Sequence, residues 1–263
     1  MRCAALRCAI LACAGVLLAL AARPSQAALT DEIQVYTDDI NTPGEFGLEM
    51  HVNTTPSGRA QPDYPGEVTP AHGWRVTPEF SYGLTRTWEL GLYIPTNFQS
   101  SGRYDVAGGK LRVKWLPVRA PEGERGGYLG ANVELSREKQ RFSESPWTTE
   151  LRIMAGYRGS DWLIGLNPVL GWNLSPGYRN GSPDFGAALK LSRDIRHGLA
   201  AGLEYYAGLG TTRDVLPLSE QSHTLYAVVD ADFGGWTLNL GVGRGLTDAA
   251  DRYTVKAIFG FGF

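Results

Sequence analysis

Cysteine is nearly absent from this chain. Its three cysteines, Cys3, Cys8 and Cys13, all lie in the first half of an apolar leader, and none follows. A chain with no later thiol has no disulfide framework and no thiolate metal site. Histidine is scarce too, at four residues, which limits imidazole chemistry to His51, His72, His197 and His223. No long apolar run follows the leader, so no helix of about 20 residues is available to cross a bilayer. Few stretches place apolar residues at i, i+3, i+4 and i+7, so amphipathic helices are not expected. Excess positive charge is missing as well. The formal charge is −2, and without Arg2, Arg7 and Arg23 of the leader it becomes −2 − 3 = −5. That mild acidity argues against nucleic acid as a partner.

The leader itself is informative. A basic start at Met1 to Arg7, an apolar stretch from Cys8 to Ala22 and the small-x-small site Ser25-Gln26-Ala27 form the pattern of a secretory signal peptide. Cleavage is expected after Ala27, giving a leader at 1–27, an N-terminal periplasmic extension at 28–43 and one main domain at 44–263. Within the extension, Glu32 to Thr37 reads as part of an acidic periplasmic tail or a short insert at a barrel mouth.

Glycine and aromatic residues are plentiful, and hydrophobicity alternates with period two. Twelve such stretches begin at Phe46, Trp74, Trp88, Lys110, Leu129, Glu150, Trp162, Phe185, Leu199, Thr224, Trp236 and Tyr253. Alternation puts one parity on each face of a strand. Strands of about 9–11 residues cross a bilayer when tilted, and in lipid a sheet must close so that every amide is paired. An even strand number brings both ends to one side. Links alternate short and long: 84–87, 159–161 and 234–235 are tight, whereas 54–72, 97–108, 137–147, 174–183 and 209–222 are long. The stretch 117–126 is long where a short link is expected. Rings flank the tight turns (Tyr82 and Trp88, Tyr157 and Trp162, Phe233 and Trp236), as at a headgroup boundary. The fold class is therefore all-β, a transmembrane antiparallel β-barrel of about twelve strands. A soluble β-sandwich shares the alternation but does not explain the rings clustered beside one set of turns.

The chain ends on VKAIFGFGF, with Phe259, Phe261 and Phe263 at alternate places. This terminus resembles the closing strand of bacterial outer-membrane proteins, which the barrel-assembly machinery reads. The stretches GEFGLEMHVN, RVTPEFSYGLTRTWELGLYIPT and GRGLTDAADRYTVKAIFGFGF resemble a group of uncharacterised transporter-like or porin-like outer-membrane barrels. The resemblance implies a Gram-negative outer membrane, surrounding lipid and the assembly machinery as partners. It says nothing of a cargo or an oligomeric state.

The parity opposite the apolar rows should line the lumen. It carries Glu49, His51, Arg75, Glu79, Glu89, Lys110, Arg112, Lys114, Glu134, Glu150, Arg152, Lys190, Glu204, Asp230 and Lys256. The Lys110 strand lies between strands bearing Glu89 and Glu134, Lys190 neighbours the Glu204 strand, and Lys256 is expected to meet Glu49. Opposite charges across a sheet pair stabilise it. These rows are either an ion-pair network filling the interior or a narrow passage for small polar or anionic solutes, with Lys110, Arg112 and Lys114 as a basic strip. Twelve strands fall between barrels filled by side chains and those that leave a channel. The outer-membrane phospholipase and a lipid A deacylase are families of this size. Here no nucleophile stands at a recognisable spacing from His51 or His223, so no enzyme is expected. Asp248 and Asp251 are too few carboxylates to point to calcium. No cofactor and no metal is expected.

Overall fold

A computed structural model describes residues 31–121, 124–179 and 181–263. The leader at 1–27, its cleavage site and Cys3, Cys8 and Cys13 lie outside the described residues. Among the described residues there is no helix. Fourteen strands form one antiparallel sheet: β1 Phe46–Ser57, β2 Trp74–Gly83, β3 Trp88–Tyr93, β4 Thr96–Phe98, β5 Tyr104–Val106, β6 Gly108–Val118, β7 Gly126–Glu138, β8 Trp147–Arg158, β9 Trp162–Asn173, β10 Asp184–Arg196, β11 Leu199–Thr211, β12 Ser222–Asp232, β13 Thr237–Gly245 and β14 Tyr253–Gly262.

The sheet closes on itself. β1 pairs with β14 on one side and with β2 on the other. Two pairs of strands are halves of single staves, which reduces fourteen to twelve around the barrel. β3 and β4 both pair with β2 and are separated by Ile94 and Pro95. The break has a local cause: Pro78 and Pro95 lack the N–H that a continuous ladder needs. The Ile94 amide bonds to the Pro78 carbonyl, and the Ala107 amide to the Pro95 carbonyl, which bridges the gap. All twelve alternating stretches of the sequence fall on these staves.

The inward rows of the staves are mainly polar and the outward rows apolar. On β6, Lys110, Arg112 and Lys114 are buried, while Leu111, Val113 and Trp115 are exposed. A water-soluble domain does the reverse. The outward apolar rows need a non-aqueous surround, as lipid-facing strands do.

The two ends differ. At one end the hairpins are tight apart from the 119–125 link between β6 and β7, and Gly198 and Gly234 turn at φ of 70° and 80°, where a side chain would be strained. Rings collect here: Trp88 stacks on Trp115 at 5.7 Å, Phe46 lies 4.6 Å from Tyr82, and Phe233 stacks on Trp236 at 4.2 Å. At the other end the links are long and knit together. Arg59 in the 58–73 loop bonds to Glu67 through both terminal nitrogens, and its amide donates to Asp251. The last stave is anchored to the first by reciprocal bonds between Phe46 and Phe263.

Residues 31–43 are not in the wall. They run through the barrel interior from mid-lumen to the tight-turn mouth, where β1 begins. From the sequence this stretch is expected as a periplasmic tail or a short insert at the barrel mouth; from residue 31 onward it lies inside the barrel, against inward side chains of the wall.

Candidate functional site in the barrel lumen

The luminal segment is extended, so its carbonyls and amides have no ladder of their own and need other partners. The inward rows supply them. Asn167 of β9 forms a two-point amide contact with the Tyr36 backbone: its oxygen accepts from the Tyr36 N–H at 2.7 Å and its nitrogen donates to the Tyr36 carbonyl at 2.9 Å. Lys256 donates to the Ile33 carbonyl, Arg152 to the Gln34 carbonyl and Lys114 to the Asp39 carbonyl, at 2.9, 3.0 and 3.0 Å. Asn53 donates to the Asp31 carbonyl at 3.0 Å. Polar side chains on five staves therefore stand in for a neighbouring strand.

The segment's side chains are equally committed. Asp31 pairs with Lys110 at 2.7 Å. Asp38 pairs with Arg158 at the tight-turn mouth, its Oδ2 accepting from Nε at 2.7 Å. Tyr36 is buried at the centre. Its hydroxyl meets Glu32 at 2.5 Å, Tyr93 at 2.7 Å and Arg112 at 2.9 Å. Its ring lies against three cations, Arg112, Lys114 and Arg152, at about 5 Å each. Such contacts gain strength when desolvated. Val35 and Tyr36 are nearly fully buried, and Tyr36 packs with Leu116, Tyr128 and Met154 in a small apolar cluster.

Most ion pairs of the charged rows fall into three groups, besides the Lys110–Asp31 pair. One joins Glu79 and Glu89 to Arg112 at 2.7 and 2.6 Å, with Lys114 3.4 Å from Glu89 and His51 3.1 Å from Glu79. A second joins Lys190 to Glu204 at 3.1 Å and Asp230 at 2.9 Å, and Lys256 to Glu204 at 2.5 Å. A third pairs Glu150 with Arg152 along β8 at 2.9 Å. Glu134 stands in register with both Arg112 and Glu150 but makes no ion pair among those found. Arg75 lines the cavity on the long-loop side.

One expected pairing is corrected. Lys256 does not meet Glu49. The register sets Lys256 opposite Asn53 and Glu49 opposite Gly260, so the two are offset along the wall by more than a turn of the pleat. Lys256 reaches Glu204 on β11 instead. The basic strip is also not free, since Lys110, Arg112 and Lys114 each face a carboxylate.

Two cavities flank the segment. One of about 700 Å³ opens toward the tight-turn mouth and is lined by Arg112, Lys114, Lys190, Glu204, Asp230 and Asn239. One of about 150 Å³ lies toward the long loops and is lined by Asn53, Arg75, Arg152 and Asp251. Residues of the segment line both.

His51 bonds to Glu79, and His223 bonds to Tyr205 and Gln221, so neither ring nitrogen meets a serine or threonine hydroxyl. His72 lies in the 58–73 loop, at a positive φ of 59°. His197 sits in the tight β10–β11 turn.

Sequence reasoning missed the partners supplied by the segment: Asp31, Gln34, Tyr36 and Asp38. The one available signal was a tyrosine and a valine inside an acidic, otherwise unpatterned stretch.

No family model and no curated protein matches this chain. Solved structures do resemble it in fold. An outer-membrane channel from Pseudomonas putida F1 is 15% identical, aligns over 86% of this chain and 97% of its own, and gives a TM-score of 0.54. The KdgM porin is 8% identical over 82% of this chain and 99% of its own, TM-score 0.54. The NanC porin is 8% identical over 83% and 98%, TM-score 0.52. The fold is that of outer-membrane channel and porin barrels.

Proposed function

We propose that this chain is a channel of the Gram-negative outer membrane, held shut by its own residues 31–43 and passing small polar or anionic solutes when that segment moves. The observation that carries the reading is the segment itself, which lies across the lumen between two polar cavities. A barrel that served only as a scaffold could fill its interior with side chains from the wall, as small barrels do. Here the filling is a separable piece of chain, joined to the wall by hydrogen bonds and ion pairs that water and solute can replace.

The charge of the segment connects it to selectivity. Residues 31–43 contain Asp31, Glu32, Asp38 and Asp39 and no lysine or arginine. Moving them out removes four negative charges. It also frees Lys110 from Asp31 and Arg158 from Asp38, and takes a carbonyl partner from Lys114, Arg152 and Lys256. Eight inward bases, counting Arg158, against seven inward acids leave the wall at 8 − 7 = +1, and the segment's four acids bring the closed lumen to 8 − 11 = −3, so opening shifts the passage toward anions.

The second reading, a non-conducting barrel closed by ion pairs, is favoured by the tight Lys190–Glu204–Lys256 group, which stays in the wall whether or not the segment moves. Current across planar bilayers separates the two. The full chain should conduct little. A variant lacking 31–43 should give discrete current steps and an anion-selective reversal potential in a salt gradient. Replacing Lys110, Arg112 and Lys114 with glutamine in that variant should reduce the anion preference. A folded deletion variant that passes no current at any salt concentration would remove the channel reading.

A further inference from the structure

We propose that Glu49, His51 and Glu79 of the lumen wall, together with Gln34 of the luminal segment, form a binding site for a divalent first-row transition cation, with Zn²⁺ the best fit. The wall residues come from adjacent staves. Glu49 of β1 and Glu79 of β2 are direct partners in register. Two like charges in that relation destabilise a sheet pair unless something offsets them. His51 is the next inward residue on β1. Its Nε2 lies 3.1 Å from Glu79 Oε2 and 3.7 Å from Glu49 Oε2, and all three donor atoms fall within 4.8 Å of one another. Bonds of about 2.0–2.2 Å in a tetrahedral zinc site set neighbouring donors about 3.3 Å apart, so the two measured spacings straddle the required one.

Gln34 completes the set from the other side. Its Nε2 donates to Glu49 Oε2 at 3.1 Å, while its Oε1 is buried with no partner. Turning the amide over exchanges the two atoms. The amide oxygen would then face the Glu49 carboxylate, which is unfavourable for two acceptors alone and favourable with a cation between them. Glu79 is already oriented, since its other oxygen accepts from Arg112 at 2.7 Å. With no cation present His51 Nε2 donates to Glu79, and binding requires the proton to leave Nε2; Nδ1 makes no hydrogen bond and is free to carry it.

The local charges agree. Glu79 shares Arg112 with Glu89, whereas Glu49 has Gln34 and His51 beside it and no lysine or arginine within ion-pair distance among the described residues, so a cation placed here offsets a carboxylate the wall leaves uncompensated. Imidazole with carboxylate and amide oxygen suits Zn²⁺ better than Ca²⁺, which takes six to eight oxygens. Entry is open, because Glu49 is partly exposed and Gln34, Glu49 and Glu79 line the larger cavity. A cation bound here ties the segment to the wall.

The test is a calorimetric titration of ZnCl₂ into the refolded full chain in detergent, after removal of metal with chelator. It measures binding and needs no current, so its outcome is separate from that of the channel reading. One equivalent of Zn²⁺ should bind, undisturbed by excess Ca²⁺. Affinity should fall at least ten-fold in Glu49→Gln and further in His51→Ala. The triple replacement of His72, His197 and His223 with alanine should leave binding intact. If His51→Ala does not refold, Glu49→Gln decides, because that side chain is partly exposed and its loss leaves the Arg112 contacts in place. Absence of binding, unchanged affinity in Glu49→Gln, or binding lost with the other three histidines would each overturn the site.

Discussion

Lys256 has no exposed surface, and its ammonium group is shared between Glu204 and the Ile33 carbonyl. Removing one partner of a buried ion pair leaves an uncompensated charge and costs about 3–5 kcal/mol. Lys190 also holds Glu204, so part of that cost is offset. Lys256→Met should therefore lower the stability of the refolded barrel by about 3 kcal/mol, read from the denaturant midpoint of tryptophan fluorescence. Adding Glu204→Gln should recover part of the loss, since neither charge is then stranded. A double mutant no more stable than Lys256→Met would show that Glu204 is not the coupled partner. Residue type and parity told from sequence that Lys256 points inward. They could not tell which carboxylate it meets, because β14 and β11 are separated by β13 and β12 in the wall. The contact exists only once the sheet has curved round.

Gly156 of β8 stands between Tyr128 of β7 and Gly165 of β9, and the tyrosine ring covers both glycines. A Cβ at Gly156 would lie 2.1 Å from the Ile164 carbonyl oxygen and 2.3 Å from the Tyr128 hydroxyl. The backbone cannot yield as a side chain could. Gly156→Ala should destabilise the barrel by about 1–3 kcal/mol, as overpacking does, and loosen Tyr128 from the cluster it forms with Tyr36. The denaturant midpoint reads the first effect, and hydrogen exchange of the 31–43 amides reads the second. The alternating stretches made β7, β8 and β9 legible as strands. Their glycines gave no sign of which aromatic would lie over them, since that depends on register between staves.

The 58–73 loop makes a prediction of its own at the same scale. Burial alone would raise the Glu67 carboxyl, but hydrogen bonds from Arg59 and the Asp63 amide outweigh it and hold it below the ordinary carboxylate range. A depressed folded value means that the contribution to loop stability is present above the unfolded value. It is lost as pH falls through the folded one. The Asp63 amide, which donates to Glu67 at 2.6 Å, should keep its exchange protection near neutrality and lose it in acid below the usual carboxylate range. Arg59→Ala should shift that loss upward in pH. Protection that does not change with pH would show that Glu67 does not hold the loop.

For the whole molecule, the wall and the segment are held by different forces. The wall's backbone groups pair around a closed ring, and its apolar rows face outward, so its stability does not require residues 31–43. The deletion variant should therefore still migrate as a compact, heat-modifiable species in detergent gels while its conductance rises. A variant that fails to refold in that assay would mean that the segment is part of the structural core.

The sequence by itself determined the barrel. Period-two alternation, twelve times over, assigns faces locally, and a strand with apolar residues on one face and charges on the other has few ways to satisfy its backbone in lipid. It also marked the inward residues, because parity is a property of neighbouring positions. Only the tertiary structure decided what fills the lumen. A short extended stretch with no periodicity carries no instruction about its destination. The site for Asp31, Gln34, Tyr36 and Asp38 is assembled from residues far apart in the chain, and it comes into being when the staves close around them.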